Sequence, residues 1–354
     1  MMRKGITLGI ALFGLALGSF GLAQVSGDVI VDGSSTVAPI TIGVAEEFRS
    51  VEPGINVSVG ISGTSGGFRR FCPGETDMSD ASRAMKASEL GSCAQNNVQF
   101  IELPVAFDGL TVTVSRHSQI FSGPACLTVG ELKVLWRPES QGIITRWNQV
   151  RSELANRPIV LSGAAPTSGT FDFFTEVING QTGASRTDYF GTEDDELLAR
   201  QVSQEPFGLG YFGFAFYVNN VDLVQPVAID PRKETLDELR QTDSSATCTG
   251  VLPAPETIAS FAYTPLSRPL FIYVNANSAA RPEVSAFVDF YLSEEILGNE
   301  IFMSDVGYVI LPEEARELTR RCWANRVTGT AFAGNFAEFA GQNITDILET
   351  KNCG

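Results

Sequence analysis

The sequence predicts an α/β fold organised as two domains. Strand-like and helix-like runs alternate along almost the whole chain, the signature of α/β layering. Three of the strand-to-helix junctions share one pattern, an apolar run followed by a loop of Ser, Thr and Gly and then a helix start. The length, 354 residues, exceeds what one compact core organises.

Residues 1–23 read as an export signal. Arg3 and Lys4 form a short basic region, and Ile6 to Phe20 is apolar but short for a membrane span. Gly21-Leu22-Ala23 puts small residues where a signal peptidase reads them, so the expected cut precedes Gln24. No cysteine follows that site, which argues against a lipid anchor. An uncleaved anchor is the rival reading, and nothing resembling a stop-transfer segment follows. The expected location is the periplasm.

The first junction runs from Val29-Ile30-Val31 through Asp32-Gly33-Ser34-Ser35-Thr36 to a helix. Pro39 suits its first turn, and Val37, Ile40, Val44 and Phe48 are spaced for one buried face. In the second, Ile55, Val57, Val59 and Ile61 lead to Ser62-Gly63-Thr64-Ser65-Gly66-Gly67 and then Phe68-Arg69-Arg70-Phe71. In the third, Ile159-Val160-Leu161-Ser162 precedes Thr167-Ser168-Gly169-Thr170, which opens Phe171 to Glu176. Such a loop aims hydroxyls and free N–H groups along the positive end of a helix dipole, which is an anion cradle. Each loop alone is equally an ordinary N-cap. Three in one chain point to a shared anion, because in open α/β sheets these turns gather at the carboxyl ends of the strands.

Further along, Val98–Ala106 and Leu110–Val114 are two β runs, with Asp108-Gly109 a turn signal between them and a crossover between domains. Thr128 caps a helix over 129–136. The cluster Glu193-Asp194-Asp195-Glu196 reads as the first turn of a solvated helix. Gly208 to Tyr217 is a buried strand passing into helix, and 242–254 is loop. Leu270 to Val274 is the return crossover strand, followed by an amphipathic helix from Arg281 that buries Val284, Phe287, Val288 and Tyr291.

The formal charge is −16, and loss of Arg3 and Lys4 makes the exported chain more negative still. That disfavours nucleic acid as a partner. An anion can still bind through a few neutral donors and one arginine in a dry cleft, since solvent screens charges beyond ~8–10 Å. All six cysteines follow the signal, and an even count in an exported chain favours disulfides. Sequence order suggests Cys72–Cys93, Cys126–Cys248 and Cys322–Cys353. A metal site fits poorly, with no CxxC and His117 the sole histidine.

Taken in order, Gly33–Val37, Gly63–Phe68, Asp77–Arg83, Ser168–Phe171, Gly210–Ala215 and Pro265–Leu270 resemble the high-affinity phosphate-binding proteins that feed the Pst ABC transporter. The resemblance covers the chain to about Pro312. It is strongest to the branch whose motif reads GFRRFC, GETD and DASR, here Gly67–Cys72, Gly74–Asp77 and Asp80–Arg83. It implies a two-lobed, hinged, type II periplasmic-binding fold with phosphate between the lobes and no cofactor. Lobe I would be 24–110 plus 266–320, lobe II 111–265, and 321–354 an added tail. The implied phosphate ligands are Thr36 and Val37, Thr64 and Ser65, and Ser168, Gly169 and Thr170. The implied partner is an inner-membrane ABC permease, served by a monomer.

Two positions depart from the best-known enteric members, which carry aspartate where Arg83 stands and arginine where Ala164 stands. Arg83 is therefore expected to supply the cation, the alternative being a surface ion pair with a nearby acid such as Asp80. Asp108 is the candidate acceptor for the phosphate proton, the alternatives being a turn or a partner for Arg83. Sulfate or another tetrahedral oxyanion is the nearest rival ligand. A secreted serine hydrolase using Ser62, Ser65 or Ser168 is a more distant one, since His117 sits in a polar turn and no G-x-S-x-G elbow is present. A surface adhesion protein on the same fold is a third.

Overall fold

The computed structural model describes residues 25–332 and 342–353; the expected export signal lies outside them. Eleven strands are present among the described residues: β1 (Gly27–Gly33), β2 (Ile55–Ile61), β3 (Met78–Ala81), β4 (Phe100–Ser115), β5 (Cys126–Thr128), β6 (Val160–Ala164), β7 (Phe190–Thr192), β8 (Gly208–Gly213), β9 (Val224–Pro226), β10 (Ala228–Asp230) and β11 (Ser267–Asn275). Nine form one sheet in the order β2-β1-β3-β11-β4-β8-β6-β7, with β9 also on β4, and β5 pairs β10 separately. β1, β2 and β3 run parallel, as do β6, β7 and β8. The antiparallel strands β4 and β11 lie between these two parallel sets. The result is a two-lobed α/β fold whose lobes share the central strand β4.

β4 corrects one sequence expectation. Asp108-Gly109 is not a turn, because all 16 residues from Phe100 to Ser115 form one buried strand. Its first part, to Gly109, pairs with β11, and from Leu110 onward it pairs with β8 and β9. The chain therefore passes from its pairing with β11 to its pairing with β8 and β9 at this dipeptide without reversing. Gly109 is demanded by packing, since a Cβ there would lie 2.3 Å from the Ile258 side chain.

One core cluster packs the helices Ala38–Val51 and Pro282–Tyr291 on the first lobe, through Val37, Ile40, Val44, Phe48, Phe287 and Tyr291. Burial of each large apolar side chain is worth roughly 1.5–3 kcal/mol. A second cluster runs from Phe68 and Phe71 through β4 to the second lobe, where Phe174 stacks on Tyr211 at 3.8 Å and both meet Trp136. Disulfides join Cys72 to Cys93, Cys126 to Cys248 and Cys322 to Cys353, the pairs that sequence order suggested. Residue 321 lies inside the helix Glu313–Ala324. The segment beyond it returns to β4, where the buried Glu102 accepts from Thr330 Oγ1 (2.6 Å) and the Ala331 N–H (2.8 Å). Among the described residues, no helix is long and apolar enough to cross a membrane.

Candidate anion-binding site

The three strand–hydroxyl–helix units form where the sequence placed them. After β1, the Ser34 N–H donates to the Asp80 carbonyl (2.9 Å) and Ser34 Oγ accepts from the Thr36 N–H (3.2 Å). Gly33 (φ 149°) permits this, because a Cβ there would lie 2.1 Å from the Asp80 carbonyl oxygen. Gly63, at φ 77°, turns β2 into the helix Thr64–Phe71. No side chain caps that helix or Ala38–Val51, so neither junction is an ordinary hydroxyl cap. The third is one: Ser168 Oγ accepts from the Thr170 N–H at 3.1 Å and caps Gly169–Phe174.

The units converge on Gly169. A Cβ at that position would lie 3.2 Å from Ser82 Oγ, 3.6 Å from Thr36 Oγ1 and 3.9 Å from Ser34 Oγ. Glycine thus lets the second-lobe helix start approach three hydroxyls of the first lobe. Thr64 Oγ1 meets Ser82 Oγ at 3.1 Å and accepts from the Ser82 N–H at 3.2 Å. Tyr308 donates its hydroxyl to the Thr36 carbonyl and fixes that loop. A cavity of 410 Å³ opens beside the cluster, lined by Thr36, Asp108, Ser168, Thr170, Asp195 and Tyr308 among others. A larger, 710 Å³ apolar recess shares Tyr308 with it but holds no such set of hydroxyls.

The cation in this cluster is Arg268, which the sequence reading did not single out. Register places it directly opposite Asp108 across β11 and β4. Its Nε and one terminal nitrogen donate to Asp108 Oδ2 at 2.9 and 2.7 Å. The guanidinium also reaches the Gly169 carbonyl and Thr36 Oγ1, both at 3.3 Å, and lies 4.7 Å from the Phe173 ring centre. It therefore touches both lobes from a fully buried position. A signal was present: Arg268 is a charge inside an apolar strand, which demands a buried partner. Burial raises the Asp108 carboxyl, and the Arg268 charge opposes that shift.

Arg83 is placed differently from expectation. It forms the ion pair with a nearby acid that the alternative reading allowed, but that acid is Glu89 (2.8 Å through both terminal nitrogens) and the pair is buried, not on the surface. It donates also to Ser65 Oγ at 2.8 Å. Asp108 likewise pairs with Arg268, not with Arg83. Asp80 is fully buried, and burial, opposed by the nearby Thr41 hydroxyl and reinforced by the Asp32 charge, pushes its pKa up to about 8. Val37 sits at the start of the first helix with its N–H on the Ser34 carbonyl (3.2 Å). Ala164 ends β6 and presents its carbonyl to Tyr189.

The acidic cluster is only in part a solvated helix turn. Asp194 caps the helix Asp195–Gln204, as the pattern predicts. Asp195, however, lines the cavity and accepts from the Gly213 N–H at 3.4 Å. Burial, reinforced by the charges of Asp108, Asp194 and Glu193, pushes it up to about 7.

Comparison with known proteins agrees with this architecture. The family model of a PBP superfamily domain matches residues 18–295. Protein SphX of Synechocystis is 41% identical over 334 residues, 94% of this chain and 93% of that one. The chain belongs to the SphX/PstS family of the PBP superfamily. The phosphate-binding protein PstS of Staphylococcus aureus is 31% identical over 88% of this chain and 86% of its own. Among solved structures, a possible phosphate binding protein from Planctomyces limnophilus aligns with a TM-score of 0.68 and 39% identity, covering 85% of this chain and 98% of that one. An ABC-type phosphate transport receptor from Vibrio cholerae shares the fold, with a TM-score of 0.61 at 22% identity over 80% of this chain and 99% of that one.

Proposed function

We propose that this chain is an exported, monomeric receptor that closes on one inorganic phosphate and delivers it to an inner-membrane ABC permease. The observation that carries the reading is the convergence of Ser34, Thr36, Thr64, Ser82 and Ser168 hydroxyls around Gly169, with Arg268 buried among them. Hydroxyls, first-turn N–H groups and one guanidinium stabilise a tetrahedral anion by short charge-assisted hydrogen bonds. Nothing covalent has to be undone at delivery.

In this reading the lobes are 24–110 with 266–320 and 111–265, hinged where β4 and β11 cross. Thr36, Thr64, Ser65, Ser168, Gly169 and Thr170 bind the phosphate oxygens, joined by Ser82 and Arg268. Val37 and Arg83 shape the site through their loops. Asp108 orients Arg268 and offers an acceptor to the proton that phosphate keeps near neutral pH. Sulfate has no such proton, so a buried carboxylate discriminates against it. A carrier rather than a hydrolase is supported by the serines' partners: Ser65 Oγ accepts from Arg83 and Ser168 Oγ from Thr170, while His117 is exposed beyond the end of β4. Small-angle scattering tests the hinge. The radius of gyration should fall when phosphate saturates the ligand-stripped protein; an unchanged value would remove closure from the mechanism. Turnover of phosphate esters by the purified protein would overturn the carrier reading.

A further inference from the structure

The loop Ser82–Lys86 of the first lobe faces the helix Gly169–Phe174 and the turn after it on the second. Lys86 Nζ donates to Thr182 Oγ1 at 3.3 Å, and the same hydroxyl donates onward to Glu176 Oε2 at 3.0 Å. The second-lobe end is held rigid by the Gly183 N–H, which donates to Thr175 Oγ1 at 2.8 Å. The first-lobe end is held by Glu89, whose carboxylate accepts from the Lys86 N–H (2.8 Å) and grips Arg83 with both oxygens. Burial raises the Asp172 carboxyl; Lys86, Arg83 and Arg268 oppose the shift, and Glu176 adds to it. Two first-lobe cations therefore oppose two second-lobe carboxylates across the cleft, bridged by a hydroxyl that accepts from one side and donates to the other.

We propose that Lys86, Thr182 and Glu176, backed by Arg83 and Asp172, form an interlobe latch that slows reopening of the closed receptor. Lys86 is then a positioning residue that acts on the rate of release without touching the ligand. This also gives Arg83 a role: paired with Glu89, it supports the latch loop. The inference deepens the phosphate-receptor reading and rests on it.

The test is stopped-flow release of inorganic phosphate from the wild-type chain, Lys86→Met, Glu176→Gln and the double variant. Partly exposed charged groups joined through a hydroxyl carry no more energy than a modest surface pair, so each single substitution should speed release about two- to fivefold. The double variant should release no faster than the singles, because both remove the same bridge. Apo melting temperatures should change little, since the bridge forms only in that part of the apo ensemble whose lobes are closed. Added salt should speed wild-type release more than Lys86→Met release. Wild-type release rates in both singles, or a double effect equal to the product of the singles, would overturn the latch. Failure of the wild-type chain to bind phosphate would instead overturn the receptor reading. Closure would then be read from a spin-label pair at Ser50 and Arg200, exposed positions on the two lobes. An interlobe distance distribution unchanged by Lys86→Met would overturn the latch on its own.

Discussion

Replacing Arg268 by methionine tests the site at its buried centre and has two separable consequences. The first is on stability. Arg268 is fully buried and Asp108 nearly so, and both of their hydrogen bonds run to one carboxylate oxygen. Removing one partner of a buried pair costs about 3–5 kcal/mol, because the other charge is left uncompensated. The second is on binding. A charge-assisted hydrogen bond contributes about 1.5–3 kcal/mol, and every ~1.4 kcal/mol is tenfold in affinity. The one N–H of Arg268 not already engaged can make one such bond to phosphate, and its loss lowers affinity by roughly one to two orders of magnitude. The double variant Arg268→Met/Asp108→Asn separates the effects, since neither charge then remains buried alone. Thermal unfolding of the apo protein should show the double variant recovering most of the stability lost in the single. Calorimetry should show that phosphate binding is not recovered. A double variant with wild-type affinity would mean that Arg268 is a structural partner of Asp108 and never meets the anion.

Three further outcomes follow from the geometry. Ser168→Ala should lower apo stability by about 1 kcal/mol, the worth of an N-cap, and phosphate affinity by more than tenfold, as befits a donor to a charged acceptor. Lowered stability with intact affinity would reduce Ser168 to a cap. Asp195 lines the cavity and titrates near 7, so above that pH its charge faces the bound anion. Asp195→Asn should therefore gain affinity at pH 8 over pH 6 relative to wild type, measured also with sulfate, which does not titrate there; an equal variant-to-wild-type ratio at both pH values would contradict this. Asp80 holds its proton more tightly folded than unfolded, with a folded pKa of about 8. The stability it contributes is fully present below the ordinary carboxylate range and is lost progressively until pH reaches that value. Urea unfolding should show apo stability falling from pH 6 to pH 9, and Asp80→Asn should flatten that fall; a curve of unchanged slope would show that Asp80 is already ionised in the folded protein.

The elements that position the site were legible because their signals are local. The Pro39 helix and its buried face, the Thr128 cap and the amphipathic helix over 282–291 each appear where pattern and capping chemistry put them. The three hydroxyl loops were legible for the same reason. What escaped was pairing across distant strands. Arg268 and Asp108 are 160 residues apart, and only the β4–β11 register brings them opposite. Without that register, Arg83 was the better-advertised arginine, and its true partner, Glu89, lies six residues further on. Asp108-Gly109 misled because the same dipeptide that makes a turn also suits a strand squeezed by Ile258. Ser82 was visible inside the motif that carries Arg83, but its hydroxyl role depends on Gly169 of the other lobe.

These hydroxyls and Arg268 would hold one phosphate between the lobes. Calorimetric titration of the ligand-stripped chain with phosphate, and separately with sulfate, is the decisive measurement. Binding should saturate at one phosphate per chain, with sulfate weaker by orders of magnitude and Asp108→Asn narrowing that gap. Absence of saturable phosphate binding, or sulfate bound as tightly as phosphate by the wild-type chain, would contradict it.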